Sequence, residues 1–307
     1  MEAELTMILI AHLLILLILP PFFLGVINRI KSVCAGRTGP PLLQLYWDLA
    51  KLLRKGIVLS ETTTWVFFAG PVLGIFTALA AGLFVPLDAE HAPLQFAGDF
   101  ILFAYLLGLG RFFTTSAALD TGSAFEGMGA AREVTYATLA EPILFCNFIA
   151  MALLSDSVSL PVMLVRSLTS DSSGAVAISI LVSVTLFLIV LLEGCRIPFD
   201  DPNTHLELTM IHEVMVLDHS GPLFGLVLYG AALKLFVLSA VFVNLLIAPG
   251  FRGGGLGIFC LLLGILGVSI AIGLVESTMA RLRLTHIPRL LVGAFFVALF
   301  SIVLILK

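Results

Sequence analysis

The sequence predicts an all-α polytopic membrane protein with about eight transmembrane helices and one amphipathic interfacial helix. Three observations support this fold class: 60% of the 307 residues are hydrophobic, only 12% are charged, and the mean hydropathy is +1.13. A soluble domain carries about 25% charged residues. We find no soluble domain and no internal repeat, so residues 1–307 are expected to form a single membrane domain.

A transmembrane helix needs about 20 apolar residues. The stretches that meet or nearly meet this requirement are 5–27, 65–87, 100–119, 133–154, 174–193, 222–248, 256–279 and 288–306. Charged residues interrupt four of them, namely Arg111, Glu141, Lys234 and Glu276. The first run is too long for a signal-peptide core and has no small-residue cleavage site, so we interpret it as a retained span.

The distribution of Lys and Arg predicts the orientation, because these residues are enriched in cytoplasmic loops. With both termini on the outer side, eleven Lys and Arg residues fall in inner loops and three fall outside. The inner residues are Arg29, Lys31, Arg37, Lys51, Arg54, Lys55, Arg132, Arg196, Arg281, Arg283 and Arg289, and the outer residues are Arg166, Arg252 and Lys307. We therefore expect a multi-pass protein of the cell (inner) membrane, with cytoplasmic loops at 36–56, 120–132 and 193–222.

The first cytoplasmic loop begins with a turn signal, GRTGPP at 36–41. An apolar stripe then recurs at helical spacing, formed by Leu42, Leu45, Leu49 and Leu52, and a polar stripe opposes it, formed by Gln44, Asp48, Lys51 and Lys55. This pattern predicts an amphipathic helix in the membrane interface. From periodicity alone, a surface helix that only anchors the fold and a helix with a functional role are equally compatible with the pattern.

The other two cytoplasmic loops differ in character. The segment 120–132, DTGSAFEGMGAAR, is glycine-rich, but no strand precedes it and GxGxxG is absent, which excludes a dinucleotide-binding loop. The segment 193–222 is a polar island in an apolar chain. Asp201-Pro202 is typical of a helix start, and residues 203–217 fit a short amphipathic helix.

Charged residues inside spans usually face a bundle interior or a water-filled path, because a charge at mid-membrane costs about 2.5–3.5 kcal/mol on insertion scales. One hypothesis is a proton relay from Glu193 and the loop acids through Glu141, with Lys234 as an electrostatic partner. The alternative is ion pairing without transport, for example Glu141 with Lys234 or Glu276 with Arg281. The residues alone leave both open.

Several other chemistries find little support. His205, His212 and His219 recur every seven residues, whereas metal ligands on one helix favour a spacing of four, so no metal site is expected. The four cysteines lack CxxC spacing, which argues against a zinc or iron–sulfur site in this chain. No basic stripe indicates nucleic-acid binding, and no nucleophile motif indicates hydrolysis.

Three segments carry a family resemblance: GRTGPPLLQLYWDLAKLL, GAAREVTYATLAEP and LLEGCRIPFDD. They resemble the eight-span membrane subunit that is common to complex I and the energy-converting membrane-bound [NiFe] hydrogenases. Three more segments are similar to the formate hydrogenlyase and hydrogenase-4 branch: ALDTGSAFEGMGA, THLELTMIHEVMVLDHSG and ESTMARLRL. The resemblance covers nearly the whole chain.

The resemblance implies a subunit without cofactors of its own. It would join antiporter-like membrane subunits to a hydrophilic arm that contains the NiFe large subunit and a small iron–sulfur subunit. The expected relay residues are Glu141, Glu193, Asp200, Glu207, Glu213 and Lys234. The expected residues of the docking loops are Arg37, Asp48, Arg132, Arg196, Asp201, His212 and His219.

Two alternatives remain open, the first from the resemblance and the second from the charged residues within spans. The first is the quinone-site subunit of a complex I-type NADH:quinone oxidoreductase; it is less favoured because Asn203 and His205 stand where quinone-reducing relatives carry glutamates, so quinone is an unlikely partner. The second is a solitary carrier that uses Glu141 and Lys234. The large polar loops argue against it, because a solitary carrier has less need of docking surfaces.

Overall fold

The computed structural model describes residues 2–88, 92–166, 175–201 and 210–306, and these ranges contain helices and turns but no strand. The helices are α1 Glu2–Ile18, α2 Pro20–Cys34, α3 Gln44–Leu53, α4 Trp65–Gly82, α5 Asp99–Asp120, α6 Ala124–Ser155, α7 Leu160–Arg166, α8 Ala175–Glu193, α9 Gly221–Leu246, α10 Gly254–Thr278 and α11 Ile287–Ile305. Eight of them are long and apolar enough to cross a membrane, counting Leu9–Cys34 of α1 and α2 as one. The prediction of eight spans is confirmed.

The first span is divided into α1 and α2 at Leu19. Pro20 and Pro21 follow it, and proline lacks the amide hydrogen that continues a helical ladder. Apart from this break, the predicted and observed spans differ mainly at their ends, where apolar composition defines the boundary least well.

Two glycines bring α4 and α5 into close contact. A Cβ added to Gly70 would lie 2.7 Å from Ala117 Cβ, and one added to Gly110 would lie 2.5 Å from Thr77 Oγ1. Both distances are too short for a real carbon atom, so these positions require glycine. The close packing fixes the rotation of α5 and directs the neighbouring Arg111 into the bundle.

Helix α6 begins at Ala124, so the expected loop at 120–132 is wrong beyond Ser123. Its glycines continue the helix instead of breaking it. A Cβ on Gly129 would overlap the side chain of Val214 and lie 2.9 Å from the carbonyl oxygen of Ile211. The glycine-rich segment therefore allows α6 to pack directly against the segment between α8 and α9, here named the central loop.

The predicted helix at 203–217 is also wrong where the structure describes it. Residues 202–209, which include Glu207 and His205, lie outside the described residues; beyond them only Glu213–Val216 forms a single 3₁₀ turn. The Asp200 carboxylate accepts hydrogen bonds from the backbone amides of Ile211 and His212, at 3.1 and 2.9 Å. These side-chain contacts replace the helical ladder that periodicity suggested.

The amphipathic helix predicted after the first span is confirmed as α3. Leu49 and Leu52 approach Gly225 of α9, and the Tyr46 hydroxyl donates a hydrogen bond to the Ile18 carbonyl. Its apolar face thus packs on the transmembrane bundle. Burial raises the pKa of Tyr46, so this hydroxyl remains protonated and available as a donor.

Loops 35–64, 121–123, 194–201, 210–220 and 279–286 lie at the same end of the bundle, here named the basic end. Direct contacts join them: the Leu282 amide donates to the Pro198 carbonyl at 2.9 Å, and Ser220 Oγ donates to the Val58 carbonyl at 2.9 Å. The loops therefore form one connected layer over the ends of the helices.

Candidate functional site

Arg111 is the centre of a buried ionic cluster between α5, α6 and α8. Its Nη1 lies 2.6 Å from Glu141 Oε1, its Nη2 contacts Glu193 Oε1, and its Nε lies 3.6 Å from Glu133 Oε1. One guanidinium therefore faces three carboxylates. Lys234 of α9 completes the cluster, with Nζ 3.1 Å from Glu193 Oε2.

Burial within this cluster is uneven. The side chains of Arg111 and Glu193 are 9% and 7% exposed, whereas that of Glu141 is 50% exposed. Glu193 is thus enclosed between two cations, and Glu141 lies at the flank of the bundle. The cluster therefore extends from an enclosed carboxylate, Glu193, to a half-exposed one, Glu141.

A cavity of ≈ 720 Å³ lies on one side of the cluster, between α4, α5, α9 and the central loop. Gly70, Gly74 and Gly230 contribute no side chains to its wall, which leaves room for water beside the charges. Its charged and titratable lining groups are Arg111, Glu133, Glu193, Cys195, His212 and Lys234. Burial raises the pKa of the Cys195 thiol well above its usual range, so that group is neutral.

A second cavity, of ≈ 410 Å³, lies on the other side, between α5, α6 and α8. It contains Glu141, and Gly108 forms the wall in front of that carboxylate. Leu107, Arg111 and Glu193 line both cavities. These three side chains therefore form the partition between the two spaces.

A second buried ionic cluster joins α2, α10 and the start of the central loop. Glu276 Oε2 lies 2.8 Å from Lys31 Nζ, and Glu276 Oε1 lies 3.5 Å from Arg196 Nη1. Arg281 instead contacts Asp200, at 3.1 Å. The suggested pairs of Glu141 with Lys234 and of Glu276 with Arg281 are therefore wrong in partner, although all of these charges are paired.

The short segment after α8 connects these ionic contacts. Glu193 belongs to the first cluster, Arg196 to the second, and Asp200 pairs with Arg281 of the loop between α10 and α11. Eight residues thus join α5, α9, α2, α10 and that loop. A displacement of this segment would change charge contacts at all three places.

The residues expected in the docking loops differ in how far they are exposed. Arg37 is exposed at the basic end, and Asp48, Arg132, Asp201 and His212 are partly exposed. Arg196 and His219 are buried, at 7% exposure each, so a soluble partner cannot contact them directly in this structure. His219 stacks on Phe67 with ring centroids 4.0 Å apart, and burial lowers its pKa to about 4.

The expected relay residues divide in a similar way. Glu141, Glu193 and Lys234 come together around Arg111, whereas Asp200 is fixed by backbone amides and Arg281. Glu213 lies in the 3₁₀ turn above the first cavity, partly exposed, and Glu207 is outside the described residues.

Arg111, Glu133 and Lys31 were not predicted as site residues. Arg111 carried a usable signal, because a charge within a span usually marks a path or a partner. Glu133 and Lys31 lie near span ends, where a charge is ordinary, and gave no comparable signal. Within the described ranges no three His, Cys, Asp or Glu side chains converge as metal ligands.

Comparison with known proteins shows a relationship over the full chain. Residues 6–306 match the family model described as NADH dehydrogenase. The chain is 31% identical to hydrogenase-4 component C of Escherichia coli over 281 residues, covering 89% of this chain and 87% of that protein. It is 30% identical to formate hydrogenlyase subunit 4 of the same organism over 300 residues, covering 95% and 96%.

A solved structure shares the fold. A chain of the membrane-bound sulfane sulfur reductase, an archaeal respiratory membrane complex, superimposes with a TM-score of 0.83 at 19% identity, covering 98% of this chain and 99% of that one. The chain is therefore a multi-pass membrane protein that belongs to the NADH dehydrogenase family, together with hydrogenase-4 component C and formate hydrogenlyase subunit 4.

Proposed function

We propose that this chain is the membrane-anchoring and coupling subunit of a [NiFe] hydrogenase complex of the formate hydrogenlyase type. Identity of 30–31% to two hydrogenase subunits over nearly the whole chain supports membership in such a complex. The NiFe centre and the iron–sulfur clusters would belong to the large and small subunits of the hydrophilic arm. Antiporter-like subunits would be the neighbours in the membrane.

The basic end is the docking surface in this proposal and faces the cytoplasm. Its excess of Lys and Arg supports that orientation, with both termini on the outer side. Arg37 is exposed there, and the Arg132 side chain donates to the Met210 carbonyl at 2.6 Å, which fixes the central loop beneath the surface. The arm would contact this connected layer of loops.

The proton relay runs through the Arg111 cluster. The observation that carries it is the contact of Glu193 and Glu141 with one guanidinium, where Glu193 lines both cavities and Glu141 lines only the second. Glu193 would exchange protons with the space under the central loop, and Glu141 with a membrane partner at the open flank. The arm could act on this exchange through the segment from Glu193 to Asp200.

The test separates docking from coupling. Removal of the chain should release an active hydrogenase arm into the soluble fraction; an arm that remains membrane-bound would refute the docking role.

In the intact complex, Glu141→Gln and Glu193→Gln should reduce proton uptake per hydrogen evolved, measured in inverted vesicles with a pH-sensitive dye. The control is Glu61→Gln, an exposed carboxylate at the basic end. An unchanged ratio in both variants would refute the relay.

The first cavity also supports a second candidate, a quinone-site subunit of a complex I-type oxidoreductase. Its lining is mainly apolar with a few convergent charged groups, as is usual for small-molecule sites. A quinone of this candidate would lie between α3 and the central loop, but the described lining of the cavity includes no residue of α3. Quinone-dependent electron transfer by the intact complex, blocked by Met215→Trp in the cavity wall, would favour this candidate.

A further inference from the structure

The contact of Arg111 with three carboxylates has a consequence for proton movement between the cavities. A guanidinium stays protonated at all physiological pH values, so it cannot pass a proton on by losing its own. It stands between Glu193 and Glu141, with Nη2 on one and Nη1 on the other. In the observed arrangement Arg111 therefore obstructs direct transfer between these two carboxylates.

The third carboxylate offers Arg111 an alternative partner. Glu133 Oε1 lies 3.6 Å from Nε, too far for a hydrogen bond, and Nε has no acceptor among the described residues. Glu133 lines the first cavity, where space is available beside the guanidinium. A small rotation of the side chain would form this bond at the expense of the bond to Glu193.

The charge on Glu193 decides which partner is favoured. Its close cations are Arg111 and Lys234; Glu133 and Glu141 approach from α6, and Cys195 and His212 lie on the loop side. A proton on Glu193 removes its negative charge and weakens its attraction for Arg111, while Glu133 keeps its own. Two carboxylates that compete for one guanidinium allow alternative ion pairs, and these are the kind of bistable element on which switches depend.

We propose that Arg111 is a movable gate between the two cavities. It pairs with Glu193 when that carboxylate is charged and turns to Glu133 when Glu193 takes up a proton. This movement opens the partition that Arg111 forms with Leu107 and Glu193 and allows transfer to Glu141. The inference deepens the relay described above and rests on it for the direction of transfer. The partition follows from the positions of the side chains and does not depend on the relay.

The partition is tested by accessibility, which does not depend on pumping. A Cβ added to Gly108 would lie 3.8 Å from Glu141 Oε1, an ordinary contact, so Gly108→Cys places a thiol in the second cavity without strain. A small methanethiosulfonate reagent is added to inverted vesicles that carry the intact complex. Labelling at position 108, followed by peptide mass spectrometry, should be several-fold faster with Arg111→Gln than with Arg111.

The gate is tested by passive proton leak through the idle complex. Arg111→Gln should increase the leak, and adding Glu141→Gln should abolish that increase, because the path ends at this carboxylate. Arg111→Lys keeps the charge but lacks the planar guanidinium whose separate nitrogens contact Glu193 and Glu141, so it should leak as well, and it replaces Arg111→Gln if that variant does not assemble. Arg283→Gln, at an exposed position of the basic end, is the matched control and should change neither labelling nor leak.

The outcomes separate the gate from the relay. Equal labelling rates with and without Arg111 would overturn the partition, whatever the complex transports. Faster labelling without a leak would overturn the gate and leave Arg111 as a structural ion-pair partner. Faster labelling and leak, with coupling unaffected by Glu141→Gln or Glu193→Gln, would support the gate and refute the relay as the working path.

Discussion

Arg111 and Glu193 form an ion pair between α5 and α8 in which neither side chain is more than 9% exposed. Lys234 contacts the second oxygen of the same carboxylate at 3.1 Å. Two cations thus depend on one buried anion. Glu141, by contrast, shares Arg111 with Glu193 and has a half-exposed side chain.

This asymmetry predicts unequal effects on stability. Glu193→Gln leaves the enclosed Arg111 and the partly buried Lys234 without their shared carboxylate, and removal of one member of a buried ion pair costs about 3–5 kcal/mol. Glu141→Gln leaves Arg111 paired with Glu193, and loss of an exposed pair costs about 1 kcal/mol or less. The thermal stability of the purified complex should therefore fall much more with Glu193→Gln. Equal losses would show that the burial of Glu193 does not matter.

The sequence showed that charged residues lie within the spans, but it did not show which of them form ion pairs. Runs of about 20 apolar residues define spans by length and composition, so eight spans were predictable. Which charges meet depends on how each helix is rotated about its axis, and the contacts of Gly70 and Gly110 determine this for α4 and α5. The sequence does not indicate which residue a glycine in a span will contact, so the partners of Arg111 became evident only from the structure.

Glycines in α6 lead to a second prediction. A Cβ at Gly129 would overlap Val214, whereas a Cβ at Gly127 would meet only Leu119 Cδ2, at 3.9 Å. Gly129→Ala should therefore displace the 3₁₀ turn at Glu213–Val216 and destabilise the protein by about 1–3 kcal/mol, as overpacked cores do. Expression level and thermal stability of the complex are the measurements.

Gly127→Ala is the control for this effect, because it makes the same chemical change two residues away. Helix propensity favours alanine over glycine by about 1 kcal/mol, so this variant should be neutral or slightly more stable. If both variants lose stability equally, helix packing against the central loop is not the reason for glycine at position 129.

The Asp200 carboxylate supports a third prediction. It accepts hydrogen bonds from the amides of Ile211 and His212 and pairs with Arg281 at 3.1 Å. Asp200→Ala leaves buried amides without an acceptor, which costs about 1–3 kcal/mol for each group. Hydrogen exchange at positions 211 and 212 should become markedly faster.

Asp218→Asn provides a comparison within the same loop. The Asp218 side chain is exposed, and its backbone amide, which this substitution retains, is the group that donates to Glu126 Oε1 at 2.9 Å. Exchange at 211 and 212 should then match the unmodified protein. Unchanged exchange in Asp200→Ala would mean that the carboxylate does not hold the loop.

The same carboxylate accounts for the absence of an α-helix at 210–217, the part of the predicted helix 203–217 that the structure describes. The spacing of Leu206, Met210, Val214 and Leu217 is helical, and periodicity describes only which faces are apolar. A side-chain acceptor at Asp200 competes for the amides that a helix would use, as short acidic side chains often do. The predicted burial holds only in part: Met210 and Val214 are buried, whereas Leu217 is 48% exposed.

His219 supports a fourth prediction, on pH. Burial beside Phe67 lowers the pKa of His219 from 6.5 to about 4, so the unfolded chain binds a proton at a higher pH than the folded protein. The neutral ring is therefore compatible with the fold above pH 6.5, and stability is lost as the pH falls from there toward 4. A pKa difference of this size corresponds to roughly 3 kcal/mol at the acid limit.

The measurement is the thermal stability of the complex between pH 7.5 and pH 4.5 (approximately the window of that titration). His219→Phe should flatten the dependence below pH 6.5, because phenylalanine can stack on Phe67 and takes up no proton. His286→Gln removes an exposed histidine at the basic end and should keep the original slope. If His219→Phe and the unmodified protein lose stability in parallel on acidification, other groups control the acid sensitivity, and the loop that ends at His219 is not held by a neutral imidazole.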